Sequence, residues 1–177
     1  SECLTIGVEW SVLCVEIEDK PRYRWRGLML DPGHNFLTKE FTKRYIDVMA
    51  LYKMNRLHWH LTDMGWAIEI KKYPELTEKA ARFDPEYKEP KEREGFYSQD
   101  DVKELVAYAT DRHITIVPEI EMPGHSSAAI AAYSWLGTSK EEIEVPIRFG
   151  VGTDVYDVSD PRVYQFLTDV LDEVMDL

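Results

Sequence analysis

The chain has 177 residues, room for one domain with a real core, and its 44% hydrophobic and 31% charged residues describe a soluble globular protein. Its 33 acids against 21 Lys and Arg leave a formal charge of -12, which argues against a nucleic-acid or anionic-membrane partner; a neutral ligand is indifferent to it. No apolar run approaches the roughly 20 residues of a membrane-spanning helix. Cys3 and Cys14 are the only cysteines, too few for a disulfide framework. The sequence opens at Ser1 without a Met and without a signal-peptide pattern, so it reads as a processed chain or a piece of a longer one.

Residues 1–20 read as one or two strands. Leu4, Ile6, Val8 and Trp10 alternate with polar or small residues, and Leu13, Val15 and Ile17 do the same. Pro21 closes the run, and a further strand, Leu28-Met29-Leu30, ends in Asp31 before the turn Pro32-Gly33-His34. Thr38 suits the N-cap of a helix over 39–54, with Phe41, Tyr45, Val48, Met49 and Tyr52 as one apolar face and Asn55 at its end. Arg56 to Leu61 reads as the next strand, with Thr62-Asp63-Met64-Gly65-Trp66 as its exit loop. His58 and His60 are two apart and so point to the same side; a hydrogen-bonded core pair accounts for them as well as a site does. Residues 71–97 read as a long excursion with one or two helical turns. Ser98 and Asp101 fit a capping box, and Val102, Leu105, Val106 and Ala109 follow the helical period.

The stretch from Ile114 to His125, ITIVPEIEMPGH, carries the most chemistry. It begins as a β-branched strand. Pro118 cannot donate to a central ladder, so regular pairing is expected to fail near it. Glu119, Glu121, the turn Pro123-Gly124 and His125 follow. Two carboxylates and an imidazole at the C-terminal end of a strand are an active-site composition in a βα protein. Ser126 to Tyr133 predicts a short helix, residues 134–158 a loop, and Asp160-Pro161 a helix start with Val163, Phe166, Leu167, Val170, Leu171 and Val174 buried.

Strand and helix alternate three times, which predicts an α/β fold with parallel strands. Either an open doubly wound sheet or a (β/α)8 TIM barrel satisfies that order. No GxGxxG or P-loop follows a strand, which lowers the nucleotide-binding option. Asp31 and His34, then His60 and Asp63, then Glu119, Glu121 and His125 follow the three strands. Parallel strands place all three exits on one rim, the rim that barrels use for catalysis.

RGLMLD, KMNRLHWHLTD with GW, IEIKKYPELTE, GFYSQDD and VPEIEMPGHSSA occur in that order. From about residue 11 to 177 the chain closely resembles the catalytic barrel of family 20 glycoside hydrolases, the β-N-acetylhexosaminidases; HWHLTD and PEIEMPGH are the specific motifs. The resemblance implies a partial (β/α)8 barrel of about the first three βα units over residues 21–177, with residues 1–20 as the end of a preceding domain. It implies removal of terminal β-linked N-acetylglucosamine or N-acetylgalactosamine with retention. The substrate's own acetamide acts as nucleophile, an Asp orients it, the adjacent Glu is the general acid, and no metal or organic cofactor is needed. It also implies an N-acetylhexosamine-containing glycan as partner, and a secreted or periplasmic setting.

By the same resemblance, Asp63, Glu121 and His125 belong to the catalytic machinery. Asp63 and His125 look like supports for the general acid, and Glu121, at a position that is usually Asp, would hold His125 in one tautomer. Arg26 matches the arginine that grips hydroxyls of the sugar, and His60 would line the sugar site. Two departures stand out. Met64 alone separates Asp63 from Gly65, so the loop is shorter than usual, and no GGDE-like motif for the Asp-Glu pair occurs. Asp172-Glu173 is mid-helix and is not that pair. The chain is therefore expected to be inactive alone, with the missing C-terminal half of the barrel, or a second copy meeting the open sheet edge, as its partner. The rival readings are a metal-dependent barrel hydrolase using His58 and His60, and a non-catalytic sugar-binding half barrel.

Overall fold

The computed structural model describes residues 14–81, 95–145 and 154–177. Three strands, β1 (Gly27–Leu30), β2 (Arg56–His60) and β3 (Thr115–Glu119), form one parallel sheet in the order β1-β2-β3. The helices are α1 (Lys39–Leu51), α2 (Glu75–Glu78), α3 (Gln99–Thr110), α4 (Ser127–Ala132) and α5 (Pro161–Met175). No described helix is long and apolar enough to cross a membrane. The run Leu4 to Leu13 lies outside the described residues. Residues 14–20 carry no strand, and Val15 and Ile17 are exposed, so the expected alternation there does not pair with the sheet.

The helix ends form as their sequences dictate. The Thr38 side chain accepts from Phe41 N, Ser98 and Asp101 complete a capping box, and Asp160 accepts from Arg162 N with Pro161 in the first turn. Each cap satisfies amide donors that a helix start leaves without a partner. The buried face of α1 differs from expectation. Thr42, Ile46 and Met49 are buried, whereas Val48 is 51% and Tyr52 69% exposed. The core takes the i, i+4, i+7 row of Thr42, Ile46 and Met49; in the row beside it Phe41, Val48 and Tyr52 are exposed, while Tyr45 is half-buried against the core. The helix also ends earlier, at Leu51. Asn55 instead accepts from Arg26 N through Oδ1 and donates Nδ2 to Arg24 O, pinning the entry to β1.

Alternation along β2 puts Leu57 and Trp59, both fully buried, on the helix-covered face, and His58 and His60 on the other. Trp59 packs on the ring of Tyr97 at 4.6 Å between centroids. Full burial of such a side chain contributes about 1.5–3 kcal/mol. The register pairs Met29 with His58 and His58 with Val117, then His60 with Glu119. One residue further along β1, Asp31 comes beside His60. The sheet face away from the helices thus ends in a polar row, Asp31-His60-Glu119.

Pro118 does not interrupt the ladder as expected; β3 runs through it and pairs it with Trp59. Thr115 N donates to Asn55 O and Glu119 O accepts from Leu61 N, so the odd-numbered residues bond to β2. Pro118 points its missing donor to the other edge, where a proline costs nothing in this sheet.

Candidate active site at the strand exits

The exit loops of β1 and β2 are laced together by backbone. Gly33 N donates to His60 O at 2.9 Å, and Gly65 N to Gly33 O at 3.0 Å. A Cβ on Gly33 would lie 3.2 Å from His60 O and 3.3 Å from Asp63 N, so the close approach needs glycine. The short loop that Met64 leaves is a tight turn: Thr62 and Trp66 form an antiparallel bridge, and Asp63 N donates to Gly65 O. This turn presents Asp63, which is buried. On β3's exit, Glu121 N donates to Thr62 Oγ1 at 2.9 Å. His125 follows Gly124 with φ of 51°, a left-handed conformation that side chains adopt rarely and that recurs at functional sites.

Four histidines meet four acids on this rim. His125 Nδ1 and Asp63 Oδ2 are 2.9 Å apart. His60 Nδ1 is 3.0 Å from Asp31 Oδ1, and its Nε2 faces Glu121 Oε1 at 3.4 Å, Asp63 Oδ2 at 3.8 Å and Glu119 Oε2 at 3.9 Å. His34 Nδ1 is 2.8 Å from Asp31 Oδ2 and its Nε2 3.5 Å from Asp63 Oδ2. His58 Nε2 and Glu119 Oε2 are 2.5 Å apart.

The charges respond to one another. The Asp31 hydrogen bond pushes His60 up to about 9 against the opposing effect of burial, with Asp31, Glu119 and Asp63 adding their charges. Burial pushes the Asp31 carboxyl up, but the hydrogen bond from His60 and the charges of His34 and His60 outweigh it and hold Asp31 below the usual range. His125 is raised, chiefly by its hydrogen bond to Asp63. An imidazole tied at Nδ1 can share a proton through its other nitrogen with a group that faces it.

Asp63, Glu121, His125 and His60 are therefore brought together. Arg26 is not. It lies at the entry end of β1, and its guanidinium donates to Lys53 O at 2.7 Å and Tyr23 O at 2.6 Å. Five residues of extended chain, about 16 Å at roughly 3.3 Å each, separate it from Asp31 at the exit. Glu121 does not orient His125 either; Asp63 takes that ring nitrogen, and Glu121 turns to His60. Asp31, His34 and Glu119, which the order of strands also placed on this rim, join them there, and His58, in the middle of β2, reaches it through Glu119.

A sequence model described as glycosyl hydrolase family 20, catalytic domain, matches residues 23–177. The beta-hexosaminidase of Porphyromonas gingivalis is 48% identical over 164 residues, covering 92% of this chain and 21% of that protein. The beta-hexosaminidase of Akkermansia muciniphila is 40% identical over 173 residues, covering 97% of this chain and 35% of that protein. Among solved structures, a beta-N-acetylhexosaminidase superposes with a TM-score of 0.84 at 40% identity, over 89% of this chain and 34% of that one. The Streptomyces plicatus N-acetyl-beta-hexosaminidase in complex with thio-NAglucal superposes with a TM-score of 0.80 at 38% identity, over 87% of this chain and 30% of that one. The chain thus spans about a fifth to a third of its relatives' length, and its three-stranded parallel sheet is part of their TIM barrel. It belongs to glycosyl hydrolase family 20, within the catalytic domain.

Proposed function

We propose that this chain supplies the first three βα units of a β-N-acetylhexosaminidase active site. The substrate class is a glycan bearing a terminal β-linked N-acetylhexosamine, cleaved with retention through its own acetamide. The observation that carries the reading is the Asp63–His125 pair at the exits of β2 and β3, 2.9 Å apart, in the motifs HWHLTD and PEIEMPGH. In this reading His125, charged through Asp63, stands beside the general acid and sets its protonation, while His60 and Glu121 fix the floor of the site. Arg26 is assigned no sugar contact, since its guanidinium is engaged at the opposite end of β1.

The adjacent Asp-Glu pair that performs acetamide orientation and acid catalysis in such a mechanism has no counterpart at a strand end here. We therefore assign it to the strands that complete the barrel. General acid–base catalysis typically contributes about 10²–10⁴-fold. The chain alone is expected to give no measurable turnover of an aryl β-N-acetylglucosaminide. Joined to a polypeptide carrying the remaining strands, it is expected to turn over, with Asp63→Asn and His125→Ala each lowering kcat by about that factor. Turnover by the chain alone that disappears in Glu121→Gln would relocate the acid to Glu121 and overturn this assignment.

A further inference from the structure

We propose that Asp154, outside the rim, is a positioning residue for His125: it clamps the segment around Tyr156 so that the Tyr156 amide holds the Pro123-Gly124-His125 turn against Asp63. The role rests on the reading of His125 as the group beside the general acid, but its test reads the ring itself and not turnover, so either can fail without the other.

Asp154 is buried, and both its oxygens are engaged. Oδ1 accepts from Thr138 N at 2.9 Å, Thr138 Oγ1 at 2.5 Å and Val155 N at 2.9 Å. Oδ2 accepts from Ser139 Oγ at 2.9 Å and Ser139 N at 3.4 Å. Burial pushes this carboxyl up, but the bonds from Thr138, Ser139 and Val155 outweigh it and hold it down to about 2. Asp154 is therefore charged throughout the range in which a histidine titrates. Gly137 makes room for it. Its φ of -79° is open to any side chain, but a Cβ would collide with Asp154 Oδ2 and stand 2.9 Å from Ile130 Cγ2.

The clamp fixes a short antiparallel bridge. Gly137 pairs with Tyr156, Thr138 N donates to Val155 O at 3.2 Å, and Asp157 N donates to Leu136 O at 2.9 Å. Amides alternate in direction along extended chain, so the Tyr156 N–H points away from this partner. It donates instead to Pro123 O at 3.0 Å. Ser126 Oγ donates to the same oxygen at 3.0 Å. The buried Tyr156 ring packs on Phe166 at 6.0 Å between centroids and anchors the amide from behind. Packing does not brace the turn at Gly124, where a Cβ would meet nothing within 4 Å. Two residues past Pro123, His125 stands at φ 51° with its Nδ1 on Asp63. The contacts thus run from Asp154 through the Tyr156 amide and the Pro123 carbonyl to His125 and Asp63.

Proton NMR of the His125 and His60 rings, with amide exchange at Tyr156, tests the role in the whole chain. Asp63, Glu121 and His60 are the groups that face the His125 ring. Asp154→Ala is expected to speed Tyr156 exchange and to move the His125 midpoint down, the direction expected of Asp63→Asn, while the His60 midpoint stays near its parent value. Gly137→Ala leaves every charge in place and should do the same. In an Asp63→Asn background, Asp154→Ala should lower the His125 midpoint no further, because residues that act through one contact are not additive. Should circular dichroism show that Asp154→Ala has lost its fold, Thr138→Val decides: it removes one bond to Oδ1 and should give part of both effects. The role is overturned if His125 keeps its midpoint in folded Gly137→Ala and Thr138→Val, if the His60 midpoint falls together with it, or if Asp154→Ala lowers it further in the Asp63→Asn background.

Discussion

The contact between His125 Nδ1 and Asp63 Oδ2, 2.9 Å long, joins the exit loop of β3 to that of β2 across 62 residues of sequence. It pairs a histidine in a left-handed backbone conformation with a buried acid, so each fixes the other. The Asp63 hydrogen bond is the main reason that His125 holds its proton above the ordinary histidine range. Asp63→Asn keeps the shape and removes the charge. The His125 midpoint, followed by proton NMR of its ring, is therefore expected to fall toward the ordinary value. A midpoint that Asp63→Asn leaves in place would mean that the two side chains do not meet in solution.

His60 makes stability depend on pH. Its folded value is about 9, above the ordinary 6.5 of an unfolded histidine, because Asp31 bonds the charged ring. A raised folded value means that the native state holds the proton more tightly than the unfolded chain. This contribution is fully present below about pH 6.5 and declines as pH rises through about 9. Urea unfolding in chelator-containing buffer at pH 6, 7.5 and 9.5 should show a falling midpoint, and His60→Gln should flatten that fall. An unchanged slope in His60→Gln would assign the pH dependence to other groups.

Local signals were legible in the sequence, and long-range partners were not. Thr38, Ser98 and Asp160 announce helix starts through side chains that reach only two or three residues. The rim itself also followed from order alone, since parallel strands must exit on one side. The face expected for α1 (Phe41, Tyr45, Val48, Met49, Tyr52) coincides with the buried one only at Met49, because the sequence does not report which row of the helix meets the core. Packing on the sheet, with Tyr97 Oη against Thr42 Oγ1 at 3.2 Å, decided otherwise. Pro118 was misjudged for want of knowing which side of β3 faces β2. Arg26 carried a motif's expectation, yet strand length places it far from the exit. The acid that engages each histidine comes from chain up to 62 residues away, and no spacing rule reports that.

The capping box on α3 offers a measure of how much one local signal contributes. Ser98 Oγ accepts from Asp101 N at 3.1 Å, and Asp101 Oδ2 accepts from Ser98 N at 3.1 Å. Asp101 also meets Lys39 Nζ at 2.6 Å, which ties the start of α3 to that of α1. Ser98→Ala is expected to destabilise the chain by about 1 kcal/mol in urea unfolding. A change within about 0.5 kcal/mol, the usual range of surface substitutions, would show that Asp101 and Lys39 hold this helix start without the serine.

Among the described residues the three parallel strands leave two open edges, and both bear on how the chain behaves alone. The edge of β1 carries Leu28 at 39% and Met29 at 52% exposure, on opposite faces of the strand. The even-numbered residues of β3, Ile116 and Pro118, turn their backbone groups away from β2 toward the other edge, where Ile116 offers a donor and acceptor and Pro118 only an acceptor. Unpaired strand edges are templates for another strand, and a closed barrel is the arrangement that removes them. On the sheet face away from the helices, Met29, His58 and Val117 form a row with no second wall opposite among the described residues. Exposed apolar area beside an unpaired edge drives association. The isolated chain is therefore expected to self-associate with rising concentration in light scattering, and to exchange the Ile116 amide quickly while the amides of α3 stay protected. Addition of a polypeptide carrying the remaining strands should suppress both effects. A monomer at high concentration, with Ile116 as protected as the α3 amides, would mean that these elements close a core of their own and need no further strands.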